Sequence, residues 1–99
     1  MNLKEEYDLE FLVNESEKLV FEELESQMSE EWAADICRCQ DCILDMAALA
    51  LNSMKPLYRV SLMGSLYASA LHESEERDNA RSAVNKAIKK ISVNPSHGK

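Results

Sequence analysis

Glycine and proline are scarce, with two of each in 99 residues. That leaves little turn chemistry for a many-stranded β fold, which needs such residues at its chain reversals. Long apolar runs are missing too. The longest, Ile43 to Leu51, is nine residues broken by Asp45, too short to span a bilayer. No basic segment followed by an apolar stretch opens the chain, so no secretory signal is read and the expected location is cytoplasmic. Positive charge is in short supply: eleven Lys and Arg stand against eighteen Asp and Glu, a net charge of −7. Such a chain is a poor nonspecific binder of polyanions, so neither a nucleic acid polymer nor a membrane is expected as a partner. Catalytic equipment is also lacking. The two histidines, His72 and His97, are far apart, and no nucleophile motif or phosphate-cradling glycine loop appears, so the chain is read as non-enzymatic.

What is present points to helices. A chain of this length forms one domain, taken as residues 1–99, burying roughly 60–70% of its unfolded surface. Hydrophobic residues at 45% and charged residues at 29% are a globular balance. Leu9, Leu12, Val13, Ser16, Leu19, Val20, Leu24 and Met28 recur at spacings of three and four, which predicts one long helix from about Glu5 to Met28. A connector containing Trp32 follows. From about Gln40 to Asn52 a second helix is apolar almost all round, through Ile43, Leu44, Met46, Ala47, Ala48, Leu49, Ala50 and Leu51. Such a helix needs cover on nearly every side, more than 99 residues supply, so a homodimer is expected. Pro56 closes this stretch, and Tyr58-Arg59-Val60 reads as extended. Ser61 is a good N-cap for a short helix from Leu62 to about Leu71. The pattern weakens from His72 to Arg77, where a turn or a helix start capped by Ser74 is expected. A last helix from about Glu75 to Val93 turns Ala80, Ala83, Val84, Ala87, Ile88 and Ile91 inward. The expectation is an all-α domain of about four helices, with residues 92–99 as a tail.

Charge is unevenly placed. Residues 1–31 carry −9, whereas residues 77–99, with Arg77, Arg81, Lys86, Lys89, Lys90 and Lys99 against Asp78, carry +5. An acidic and a basic helix packed side by side explain this, and so does a basic face for a phosphate-bearing ligand.

Cys37-Arg38-Cys39-Gln40-Asp41-Cys42 places three thiols in six residues. An odd number of thiols in a reducing compartment argues against a structural disulfide. Thiolates converging at C-x-C-x-x-C spacing at the mouth of a helix suit a soft tetrahedral ion such as zinc. The alternative is three reduced cysteines without a metal. A redox C-x-x-C is expected after a strand, and no strand is read before this one. A cysteine nucleophile would need a nearby base, and metal ligation would silence it. Zinc requires a fourth ligand. His97 is the first candidate, because the tail would fold back over the cluster; His72 is second, and Asp35 or Asp41 third.

The stretch from Cys37 to Asn52, followed by Lys55-Pro56-Leu57-Tyr58, resembles the late competence protein ComFB family, whose pattern there is C-x-C-x-x-C-x-x-D, a short gap, A-L-N, a Pro and a Tyr. The resemblance extends upstream to Asn14 and Val20-x-Glu22-Glu23-Leu24. Downstream it runs through Gly64-Ser65-Leu66-Tyr67 to Asn94-Pro95-Ser96-His97. It implies small all-α homodimeric subunits, zinc in members carrying the cysteines, and a regulatory role as a receptor for cyclic dinucleotides that signals to a protein partner. Lys55 and Leu57 depart from the second Pro and the basic residue often found beside Pro56. Asp45 reads as a local polar interruption or as part of the family's binding surface. For an anionic nucleotide, Lys55, Arg59 and Arg77 would supply charge, Tyr58 and Tyr67 stacking surface, and Ser61 a hydroxyl. The competing reading is a zinc-stapled protein–protein adaptor with no small ligand.

Overall fold

The computed structural model describes residues 1–60 and 62–95; over residues 62–74 it describes the backbone alone. A short helix α1 (Leu3–Glu6) and a 3-10 turn (Leu9–Phe11) lead into strand β1 (Val13–Asn14) and helix α2 (Glu15–Met28). A connector with a 3-10 turn at Glu31–Ala33 runs to helix α3 (Gln40–Asn52). Strand β2 (Tyr58–Arg59) and helix α4 (Leu62–Val93) complete the chain. The fold is therefore mostly helical with a small two-stranded sheet, and the all-α expectation is corrected to that extent. β1 and β2 are antiparallel, with Val13 opposite Arg59 and Asn14 opposite Tyr58.

The single helix expected from Glu5 to Met28 is broken ahead of Glu15. Asn14, in extended conformation, caps α2: its side-chain oxygen accepts the N–H of Ser16 at 3.1 Å and that of Leu57 at 2.8 Å. Capping competes with helix continuation for the same donors, and the bond to Leu57 ties this choice to a segment 43 residues away. The Ser16 hydroxyl adds a donor bond to the Lys55 carbonyl at 2.6 Å, and the Glu15 N–H donates to the Leu57 carbonyl at 2.8 Å. Leu9 and Leu12, upstream of the break, are exposed rather than part of the buried stripe.

A second correction concerns the C-terminal half. The turn expected around His72 to Arg77 is absent, and α4 is continuous through it. Its sequence there, His72-Glu73-Ser74-Glu75-Glu76-Arg77, contains no Gly or Pro to stop a helix, and Glu and Arg are good helix formers. The loss of apolar periodicity marked a change of surface, not an end. Ser61, expected as the N-cap, lies outside the described residues.

The core forms where α2, α3 and α4 meet. Ser16, Val20, Leu24, Gln27 and Met28 come from α2, and Cys42, Met46, Ala47 and Ala50 from α3. Ala80, Val84, Ala87 and Ile88 of α4 complete it, with Ala33 of the connector. The expected all-round burial of α3 is not reached within one chain, since Leu44 is 56% exposed and Ala48 is also exposed. Ser16 and Gln27 are the buried polar residues among those described, and Gln27 is the larger. It donates to Glu23 and to the Arg81 carbonyl, both at 3.0 Å, and accepts from Asn85 Nδ2 at 3.1 Å, so α2 is bonded to α4 through a satisfied network.

The acidic and basic segments do lie side by side. Arg77 reaches Glu22 at 3.7 Å and Arg81 reaches Glu23 at 3.9 Å, from α4 to α2. Part of the charge asymmetry along the sequence thus serves helix pairing, and Arg77 faces an acid within its own chain.

Candidate metal centre and anion-binding edge

The connector aims the cysteines. Ala33 is fully buried, Ile36 packs on the core, and Arg38 donates from Nη2 to the Ala33 carbonyl at 2.9 Å, folding residues 33–38 into a tight loop. At the far end of the connector, Trp32 donates its ring N–H to Glu30, and the Lys89 ammonium sits 6.0 Å from the ring centroid, fastening the connector to α4. The loop delivers Cys39 to the N-cap of α3, where its Sγ accepts the N–H of Cys42 at 3.5 Å. Cys42 falls on the inner face of α3, one turn before Met46 and two before Ala50, and is buried. Cys37 and Cys39 are exposed at the rim.

The three sulfurs lie within 4.8 Å of one another. A tetrahedral ion with Zn–S bonds of about 2.3 Å places its ligand sulfurs about 3.8 Å apart, so small side-chain rotations seat an ion here. The donor set fits a soft divalent metal. Electrostatics support the same use. The Cys42 N–H draws the Cys39 thiol below its ordinary pKa of 9.0. Burial pushes Cys42 up to about 12, with the sulfurs of Cys37 and Cys39 adding to the shift. Three thiolates crowded without a cation repel one another, and a dication relieves that repulsion.

Among the described residues, no histidine or carboxylate joins the cluster, so Asp35 and Asp41 are not part of it. His97 lies outside the described residues, as does the His72 side chain.

The second group of sequence candidates gathers at the β1–β2 edge. Tyr58 is 61% exposed. Arg59, half-buried, forms an ion pair through Nε with Glu15 at the start of α2. Lys55 is exposed, its carbonyl held by Ser16. Beyond it opens a groove of about 400 Å³ between the end of α3 and α4, lined by Lys55, Lys86, Glu75, Glu76 and Asn79 among others. Tyr58, Arg59 and Lys55 thus share one edge of the domain. Ser61 and the Tyr67 side chain lie outside the described residues. Sequence reading did not single out Glu15, and it placed Ser16 on the helical stripe without its bond to Lys55, because the partners Arg59 and Lys55 are distant in the chain; Asn14 entered through the family resemblance alone.

These features define a class: a small, mostly helical domain with a cysteine-centred candidate metal site at a helix N-terminus. The sequence matches the family of the late competence development protein ComFB over residues 13–95, and the chain belongs to that family. This is not a known enzyme family. Among solved structures, the late competence protein ComFB from Bacillus subtilis is similar, at 28% identity and a TM-score of 0.66, covering 86% of this chain and 94% of that one. No curated protein matches the sequence. Among the described residues, no helix is long and apolar enough to cross a membrane.

Proposed function

We propose that this protein is a regulatory, non-catalytic zinc-containing receptor that binds a cyclic dinucleotide as a homodimer and passes the signal to a protein partner. The observation that carries the ligand part is at β2, which sets an exposed Tyr58 next in the chain to Arg59, itself held by Glu15. Bases stack on aromatic faces, and phosphates take charge-assisted hydrogen bonds from guanidinium forks. The Glu15 contact uses Nε, and a guanidinium carries four further N–H donors. Lys55 adds charge on the same edge. A two-fold dimer offers each of these groups twice, matching a ligand with two bases and two phosphates. Leu44 and Ala48, on the outer face of α3, supply apolar surface for a second copy.

Zinc would be held by Cys37, Cys39 and Cys42, with His97 as the fourth ligand. Its role is structural: it locks the connector to the N-terminus of α3 and supplies no reaction.

Calorimetry of the zinc-loaded protein with cyclic di-GMP and cyclic di-AMP tests the receptor reading. One of them should bind with a Kd below about 100 μM at low salt, a free energy near 5.5 kcal/mol. If neither does, the adaptor reading takes its place. That second reading draws on the apolar side chains Phe11, Leu12, Tyr58 and Val60, all more than half exposed.

A further inference from the structure

Cys39 and Cys42 stand in the relation of an attacking and a resolving thiol. Cys39 is exposed at the N-cap of α3, and its sulfur accepts a backbone N–H from Cys42 at 3.5 Å. Cys42 lies one turn further on, buried, with its sulfur inside the same 4.8 Å cluster. The cysteines carry no disulfide in this structure. A C-x-x-C pair beginning at a helix N-cap closes into a disulfide through side-chain rotation, whereas Cys37 and Cys39, with one residue between them, form a more strained ring. A connector rather than a strand leads into α3, and its loop, held by Arg38 and Ala33, leaves Cys39 exposed to solvent.

The geometry points to an oxidisable dithiol, Cys39–Cys42, that reacts with hydrogen peroxide. The Cys39 sulfur attacks one peroxide oxygen; an S–O bond forms, the O–O bond breaks, and the departing hydroxide takes up a proton to leave as water. Cys39 is now a sulfenic acid, having lost two electrons to the peroxide. The Cys42 sulfur then attacks the Cys39 sulfur. The S–S bond forms, the S–O bond breaks, and the hydroxyl leaves with the Cys42 proton as a second water. In sum, two thiols and one hydrogen peroxide give one disulfide and two waters. Transient disulfides of this kind are the form that redox sensing takes in reducing compartments. One consequence rests on the zinc reading above: both sulfurs belong to the metal set, so oxidation removes two of its three cysteine ligands and releases the ion.

The experiment treats the full-length protein, metal-free and zinc-loaded, with one equivalent of hydrogen peroxide. It follows intact mass, disulfide mapping and zinc release to a chromogenic chelator. The metal-free protein should lose about 2 Da and map to a Cys39–Cys42 bridge, and Cys37→Ser should do the same. Cys42→Ser and Cys42→Ala should instead stop at a sulfenic acid on Cys39 that dimedone traps. The zinc-loaded protein, its thiolates masked by the metal, should react more slowly than the metal-free protein, release its ion as the bridge forms and rebind it after reduction. A Cys37–Cys39 bridge, bridges only between chains, or no bridge in the metal-free protein overturns the proposal. A chain that forms the Cys39–Cys42 bridge yet never binds zinc upholds the dithiol and sinks the zinc reading instead.

Discussion

The Asn14 side-chain oxygen and the Leu57 backbone N–H, 2.8 Å apart, join the start of α2 to the segment that carries Tyr58 and Arg59. The same oxygen caps α2 through Ser16. One amide therefore ends the N-terminal extended segment, starts a core helix and sets the position of β2. Asn14→Ala leaves donors at Ser16 and Leu57 without this acceptor. It should destabilise the protein by about 1.5–3 kcal/mol in denaturant unfolding, while Asn14→Asp, which keeps an acceptor oxygen, should lose much less. Equal stability of the Ala variant would show that the clip is incidental.

Glu15 and Arg59 should act in opposite directions on ligand binding. Arg59→Ala removes a charged donor and should weaken cyclic dinucleotide binding about tenfold or more, a loss in the range of roughly 1.5–3 kcal/mol. Glu15→Gln removes a carboxylate beside Arg59 and should tighten binding, most clearly at low salt. Calorimetry on the two variants checks both signs. Identical affinities would place the ligand away from β2.

Gln27, buried, holds α2 to α4 with two hydrogen bonds and makes a third to Glu23 within α2. Gln27→Ala should cost about 1–3 kcal/mol, because Asn85 and the Arg81 carbonyl lose a partner in a partly buried site. For comparison, Met46→Ala at the centre of α3 should cost about 2–5 kcal/mol by leaving a cavity. Chemical denaturation of each variant gives the values directly.

The Cys42 thiol gives a pH dependence with a definite sign. Its pKa is raised from 9.0 to about 12 in the folded metal-free chain, by burial and by the sulfurs of Cys37 and Cys39 facing it. Folding therefore favours the protonated thiol. This contribution is fully present below pH 9 and is lost as the pH rises toward 12. The metal-free protein should weaken between those limits, and Cys42→Ala should remove that part of the dependence. Zinc reverses the balance, since each bound cysteine must give up its proton; metal affinity should rise with pH and fall in acid.

Helix α3 was legible from the sequence to its boundaries, because Pro56 lies just beyond it and its apolar residues are contiguous. The inward faces of α2 and α4 were legible for a similar reason: Val20, Leu24 and Met28, and Ala80, Val84, Ala87 and Ile88, recur at helical spacing and are buried. What escaped was decided in part by long-range partners. The break before Glu15 has a local signal, Asn14 with Glu17 three residues on, but the apolar stripe running through it masked that cap, and the two-stranded sheet depends on the distant Tyr58 and Arg59. The continuity of α4 was hidden because periodicity reports burial rather than helicity. At the candidate site, the cysteine spacing was visible at once. The division of labour between a capping Cys39 and a buried Cys42 emerges only from the packing of α3 against α2 and α4.

The sulfurs of Cys37, Cys39 and Cys42, held within 4.8 Å, are placed to form a metal centre. Zinc-edge X-ray absorption on protein purified without chelator, with elemental analysis of the same sample, measures this directly. One zinc per chain is expected, with three sulfurs at about 2.3 Å and one nitrogen at about 2.0 Å, and the metal should be lost in Cys39→Ser. A metal-free protein, or zinc bound without sulfur, would contradict the account.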